Sequence, residues 1–130
     1  MHRRTFLPIV IAVLVAACHD GATAISNGII TAKREATGIR LTNQTNEARG
    51  YLVNDPAWLA VADLSFSVLC TTTDSACLRL PAKGSVLVPF AEVGGYSATT
   101  KSVVVWTWRV LASGVGGLQA VSDAPITLTF

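Results

Sequence analysis

The chain has 130 residues, 51% of them hydrophobic and 14% charged, with ten Lys and Arg against eight Asp and Glu. That length fits one small domain with a modest core. Beyond the N-terminal segment the only adjacent basic pair is Lys33-Arg34, so the clustered positive footprint of a nucleic-acid binder is missing and no nucleic-acid partner is expected.

From the N-terminus, Arg3 and Arg4 precede an apolar run over residues 6–17, interrupted by Pro8 and ending in small residues directly before Cys18. A basic start, a short apolar stretch and a small-residue cleavage site form the three-part layout of a secretory signal peptide. A helix that crosses a bilayer takes about 20 apolar residues, and this run is too short. The tetrapeptide Val15-Ala16-Ala17-Cys18 resembles the lipobox of bacterial lipoproteins. The resemblance implies removal of residues 1–17, acylation of Cys18 and attachment of the mature chain to a membrane of the cell envelope. His19, rather than aspartate, follows the cysteine. On the same resemblance this favours the periplasmic face of the outer membrane over the inner membrane. Arg3-Arg4-Thr5-Phe6-Leu7 is also similar to part of a twin-arginine signal, but paired arginines are common in signal peptides and general secretion is the expected route. Loss of Arg3 and Arg4 leaves eight charged residues of each sign. Residues 18–27, with Asp20, Gly21 and Ser26, read as a short polar tether, and 28–130 as the folded domain.

Three cysteines in an exported chain leave an odd one. Lipidation of Cys18 accounts for it and leaves Cys70 with Cys77, separated by six mostly polar residues. Such a loop can fold back to the Cα separation of a disulfide, and the oxidising space outside the inner membrane permits the bond. Closing so short a loop contributes about 2–3 kcal/mol. A metal site would want closer spacing and further His or Cys ligands.

The body of the chain reads as strands. A weak first strand covers 29–34. Residues 38–43 alternate with a period of two, Ile39 and Leu41 sharing one face. Turn-forming residues 43–46 then lead into a strand from 50 to 53, the pattern of a hairpin. Residues 65–70 place Phe66, Val68 and Cys70 inward. Lys83-Gly84 is a turn before a strand over 85–90, in which Pro89 cannot donate to a ladder and marks an edge or an end. The longest strand runs over 102–111 and the last over 126–130. Single helical turns are expected at 55–60 and 90–93.

About seven short strands without an amphipathic helix predict an all-β fold, an antiparallel β-sandwich. Its architecture resembles immunoglobulin or fibronectin domains, although the Cys–Trp–Cys spacing of true immunoglobulin domains is absent. A small β-barrel is the alternative. Within 103–110 the even positions Val104, Trp106, Trp108 and Val110 share one face, and the odd positions share the other. Aromatic residues dominate such cores. The expected inward set is therefore Ile39, Leu41, Phe66, Val68, Val86, Val88, Val104, Trp106, Trp108, Ile126 and Leu128.

The one histidine of the mature chain, His19, sits on the tether, so a Ser-His or Cys-His arrangement lacks its base. Lys33, Lys83 and Lys101 lie in polar surroundings unsuited to activating a serine, and the carboxylates are isolated in sequence. The glycine clusters at 94–95 and 114–117 read as turns, not phosphate loops. No enzymatic activity, cofactor or metal is expected. Trp58, Tyr51 and Tyr96 lie in or near loops, where sandwiches bind their ligands, and form the candidate binding surface. The expected function is a non-catalytic, lipid-anchored envelope protein that binds another protein or supports an assembly. A small inhibitor or solute-binding sandwich is the alternative, and an envelope hydrolase built on a carboxylate pair is the least favoured reading.

Overall fold

The computed structural model describes residues 23–59, 77–112 and 118–130. The expected strand at 65–70 with Phe66 and Val68, the segment holding Cys18 and His19, Cys70, and the glycine turn at 114–117 lie outside the described residues.

Among the described residues, two four-stranded antiparallel sheets form an all-β sandwich without barrel closure. The first sheet contains β1 (Ile25–Ser26), β2 (Ile30–Arg34), β3 (Gly38–Asn43) and β5 (Ser85–Pro89), in the order β1-β2-β3-β5. The second contains β4 (Gly50–Asn54), β6 (Ser102–Ala112), β7 (Leu118–Ser122) and β8 (Ile126–Thr129). In it β6 pairs with β4 along one side and with β7 and β8 in succession along the other. The order β2-β3-β5 against β4-β6-β7/β8 is the A-B-E against C-F-G arrangement of immunoglobulin-type sandwiches. Helical turns at α1 (Pro56–Leu59) and at Phe90–Glu92 fall where the sequence places them. Ile25 and Ser26, at the end of the stretch read as tether, pair with Ala32 and Thr31.

In the first sheet the alternation of β2 and β3 buries Ile30, Ala32, Ile39 and Leu41, and register brings Val88 and Val86 opposite Ile39 and Leu41. Val86 is half-buried against this core. Pro89 ends β5, which among the described strands is also the outer one of its sheet, so its missing donor costs no ladder bond there.

The sequence pattern at 38–53 suggests a hairpin, but β3 and β4 lie in different sheets. The buried Asn43 causes the divergence. Its Nδ2 donates to the Glu47 carbonyl at 2.7 Å, and its Oδ1 accepts from Thr45 N–H at 2.9 Å and Thr45 Oγ1 at 2.8 Å. That side-chain turn lifts the chain out of the first sheet, and Arg49 then bridges Leu80.

The long strand β6 is turned over relative to the expectation. Val103, Val105 and Thr107 face the core, each 3% exposed or less, while Val104 and Trp106 are half-buried on the opposite face. The neighbours decide it. Leu128 pairs with Val103, and both Ile126 and Val53 pair with Val105, so the apolar faces of β4 and β8 coincide only with the odd positions of β6. Trp106 is tied down on the outer face by a 3.0 Å hydrogen bond from Nε1 to Asn54 Oδ1. Trp108 is only 4% exposed, yet it lies on the outer face over its cross-strand partner Gly50.

One extra residue separates β7 from β8. Ser122 lies opposite Trp108, but Ile126 lies opposite Val105, so Asp123, Ala124 and Pro125 span two positions of β6. This is a β-bulge, and Pro125 sits where no ladder donor is needed.

Candidate functional site

The bulge builds the densest polar cluster of the described sandwich. It turns Asp123 inward against Arg49, the residue that leads into β4, and both side chains are nearly closed to solvent, at 7% and 6% exposure. Asp123 Oδ2 accepts from Arg49 Nε at 3.0 Å and from Thr107 Oγ1 at 2.8 Å, while Asp123 N–H donates to the Thr107 carbonyl at 2.9 Å. Arg49 Nη1 reaches Glu47 Oε2 at 3.4 Å, and Arg109 Nη1 lies 3.7 Å from the same oxygen at the solvent edge. A buried charge needs a partner and hydrogen bonds on its remaining sites. Here Arg49 just ahead of β4, Thr107 on β6 and the β7–β8 bulge supply them together. Sequence reading missed this cluster. Its one legible signal is the Asp-Ala-Pro triplet interrupting an alternating strand, which marks a bulge.

Among the candidate recognition residues, Trp58 and Tyr96 lie near one end and Tyr51 toward the other. Trp58, on α1, packs over Gly94 and Gly95, and Gly94 bridges Asn54 at the end of β4. Tyr96 stacks on Phe90 with ring centroids 4.5 Å apart. Arg34 completes that end, its guanidinium 4.4 Å from the Phe130 ring centroid and 5.9 Å from that of Phe90. Tyr51 faces the core from β4 under the guanidinium of Arg79, 4.4 Å from its ring centre. Both tyrosines pack against the core, so each carries structural duty on one side and half-open surface on the other.

Two carboxylates are shifted by hydrogen bonds. Arg40 donates to Glu35 at 2.9 and 3.3 Å, which holds the Glu35 carboxyl below its usual range and the Arg40 guanidinium above its own. Asp55 accepts from Thr100 Oγ1 at 2.7 Å and from Ala57 N–H at 2.9 Å, and these bonds, the Thr100 one foremost, lower its pKa. It caps the first turn of α1 as an N-terminal carboxylate does. Among the described residues no group of three His, Cys, Asp or Glu converges to hold a metal ion.

The feature most open to a partner is the arm formed by β6 and β7. Pairing with β4 stops at Trp108, whereas β6 runs on to Ala112 with β7 as its only partner among the described strands. At about 3.3 Å per residue, these last four residues carry the ribbon roughly 13 Å past β4. Leu111 and Leu118 are 38% and 47% exposed there. With Ile25 they are the exposed large hydrophobic residues among those described.

The described strands thus define an all-β sandwich of two antiparallel sheets with a two-stranded arm. Comparison with family models, curated proteins and solved structures returns no match.

Proposed function

We propose that this chain is a non-catalytic lipoprotein of the cell envelope that binds another protein and supports an assembly through its β6–β7 arm. Residues 1–17 act as the signal peptide, Cys18 receives the lipid, and the tether holds the sandwich at the periplasmic face of the outer membrane. The observation that carries the binding reading is the arm itself, which presents Leu111 and Leu118 to solvent beyond the end of β4. Leu111, opposite Gln119, and Leu118, opposite Ala112, stand on opposite faces of the ribbon, so a partner that touches both would pair along its edge. In the same reading Cys70 and Cys77 form a structural disulfide; Cys77 is 4% exposed, the burial expected of a bridge half.

The test places a photo-activatable residue at Leu111 or Leu118 of the full-length protein in cells. A discrete protein adduct from these sites, and none from exposed Thr127 on β8, is the expected result. Adducts that are equal at all three sites would remove the arm as the contact surface. Glycan or peptidoglycan hydrolysis by the purified protein would remove the non-catalytic reading.

A further inference from the structure

We propose that β7 is a self-pairing edge: two copies of this chain join antiparallel along β7, about a two-fold axis at Ala120, into one continuous sheet. The inference rests on the arm being the contact surface, and not on lipidation.

Exposed sheet edges are normally blunted by charge, proline, shortness or cover, and the other edges among the described strands follow that rule. The outer side of β4 is occupied, since Asp55 N–H donates to the Gly94 carbonyl at 2.7 Å, Gly94 N–H to the Val53 carbonyl at 2.9 Å, and Arg49 and Leu80 exchange bonds at 2.8 and 3.0 Å. Strand β5 ends in Pro89 and β1 is two residues long. The bulge beside β8 is held by Asn27 Nδ2, which donates to the Ala124 carbonyl at 2.7 Å. Strand β7 has none of these devices. Its sequence Leu-Gln-Ala-Val-Ser carries no charge and no proline, and among the described residues no strand pairs with its outer side.

Register shows which backbone groups that edge presents. Asp123 N–H donates to Thr107, so in an antiparallel ladder the alternate residues Val121 and Gln119 also bond inward to β6. The N–H and C=O groups of Leu118, Ala120 and Ser122 therefore point outward. Those three are symmetric about Ala120. In a two-fold pairing Ala120 meets Ala120 of the second copy and Leu118 meets Ser122, each pair exchanging two hydrogen bonds. Exposed Leu118 then packs beside a small residue, the crossing point holds only methyl groups, and no like charges are opposed. A strand that satisfies its own mirror in this way favours a second copy over an unrelated extended peptide.

The full-length protein in detergent supplies the test. Directly bonded antiparallel residues have Cα atoms about 5.5 Å apart, inside the range of roughly 4.4–6.8 Å that a disulfide accepts. Ala120→Cys should therefore give a covalent dimer under mild oxidation, at least tenfold faster than Thr127→Cys. Ala120→Pro removes an N–H that the chain does not use internally, so it should abolish the non-covalent dimer in sedimentation velocity while the circular dichroism spectrum is retained. Should that variant misfold, Ala120→Glu sets two carboxylates across the axis and should likewise yield monomer. An unmodified protein that stays monomeric, or crosslinking no faster at 120 than at 127, overturns the proposal. If a different protein is captured at Leu118 in cells while the purified chain is monomeric, self-pairing fails and the arm remains a contact surface. If neither adduct nor dimer forms, both readings fail.

Discussion

The indole of Trp108 fills the space above Gly50, so a Cβ at residue 50 would overlap the ring atoms Cε2 and Cζ2. The two residues are direct cross-strand partners. The missing side chain of one is what allows the other to be buried on a face outside the main core. Gly50→Ala is expected to destabilise the domain by about 1–3 kcal/mol through overpacking, read by denaturant unfolding. Trp108→Ala should cost about 3–5 kcal/mol, and half-buried Trp106→Ala distinctly less. Equal losses at the two tryptophans would contradict the packing described.

The Arg49–Asp123 pair gives the second prediction. Removing Arg49 leaves the buried Asp123 carboxylate with Thr107 alone, and removing Asp123 leaves Arg49 with only its longer contact to the more exposed Glu47; breaking a buried pair typically costs about 3–5 kcal/mol. Asp123→Ala and Arg49→Ala should each fall in that range, whereas a double change to Leu and Met should recover much of it, because a well-packed apolar pair often matches a buried ion pair. In the double alanine variant, a loss equal to the sum of the two single-alanine losses would show that the two side chains are not energetically coupled.

A third prediction concerns acid. The Asp55 pKa is depressed in the folded chain, so the stabilisation from its bonds to Thr100 and Ala57 is present above its unfolded value of about 3.9. It is lost as pH falls through the lower folded value. Glu35 follows the same sign through Arg40. Carboxyl titration by NMR should show both groups ionising below their ordinary values, and Thr100→Val should move Asp55 back upward.

For the anchor, Cys18→Ser should abolish acyl labelling and detergent-phase partitioning of the exported protein. Retention in the membrane fraction would place the anchor elsewhere. Mass spectrometry of the exported chain should find Cys70 and Cys77 joined, and two free thiols would refute the pair.

How legible this architecture was depended on whether one face or two were apolar. Strands β2, β3 and β8 alternate, and Ile39, Leu41, Val88, Ile126 and Leu128 are buried as their spacing requires. In β6 both faces are apolar, and the weight given to tryptophan chose the wrong one. Thr107 tolerates the core because Asp123 accepts a hydrogen bond from its hydroxyl, a long-range contact that no local pattern contains. Strand β7 was missed because Leu-Gln-Ala-Val-Ser has a single β-branched residue and follows a glycine-rich stretch. The Arg49–Asp123 pair spans 74 positions of sequence, and only the fold brings it together. Aromatic character and nearby loops alone single out Tyr51, Trp58 and Tyr96 in the sequence, and the core claims part of both tyrosines.

The bulge at Asp123–Pro125 also divides the end of the chain kinetically. Residues 126–129 are locked between β6 and the first sheet, while among the described strands 118–122 pair with β6 alone. Amide hydrogens of the two segments should then exchange with solvent deuterium at different rates, those of Gln119 and Val121 through local fraying of the arm and those of β8 only through global opening. Pinned by Arg49, the bulge acts as a stop: motion of the arm ends there, and the sandwich behind it stays closed.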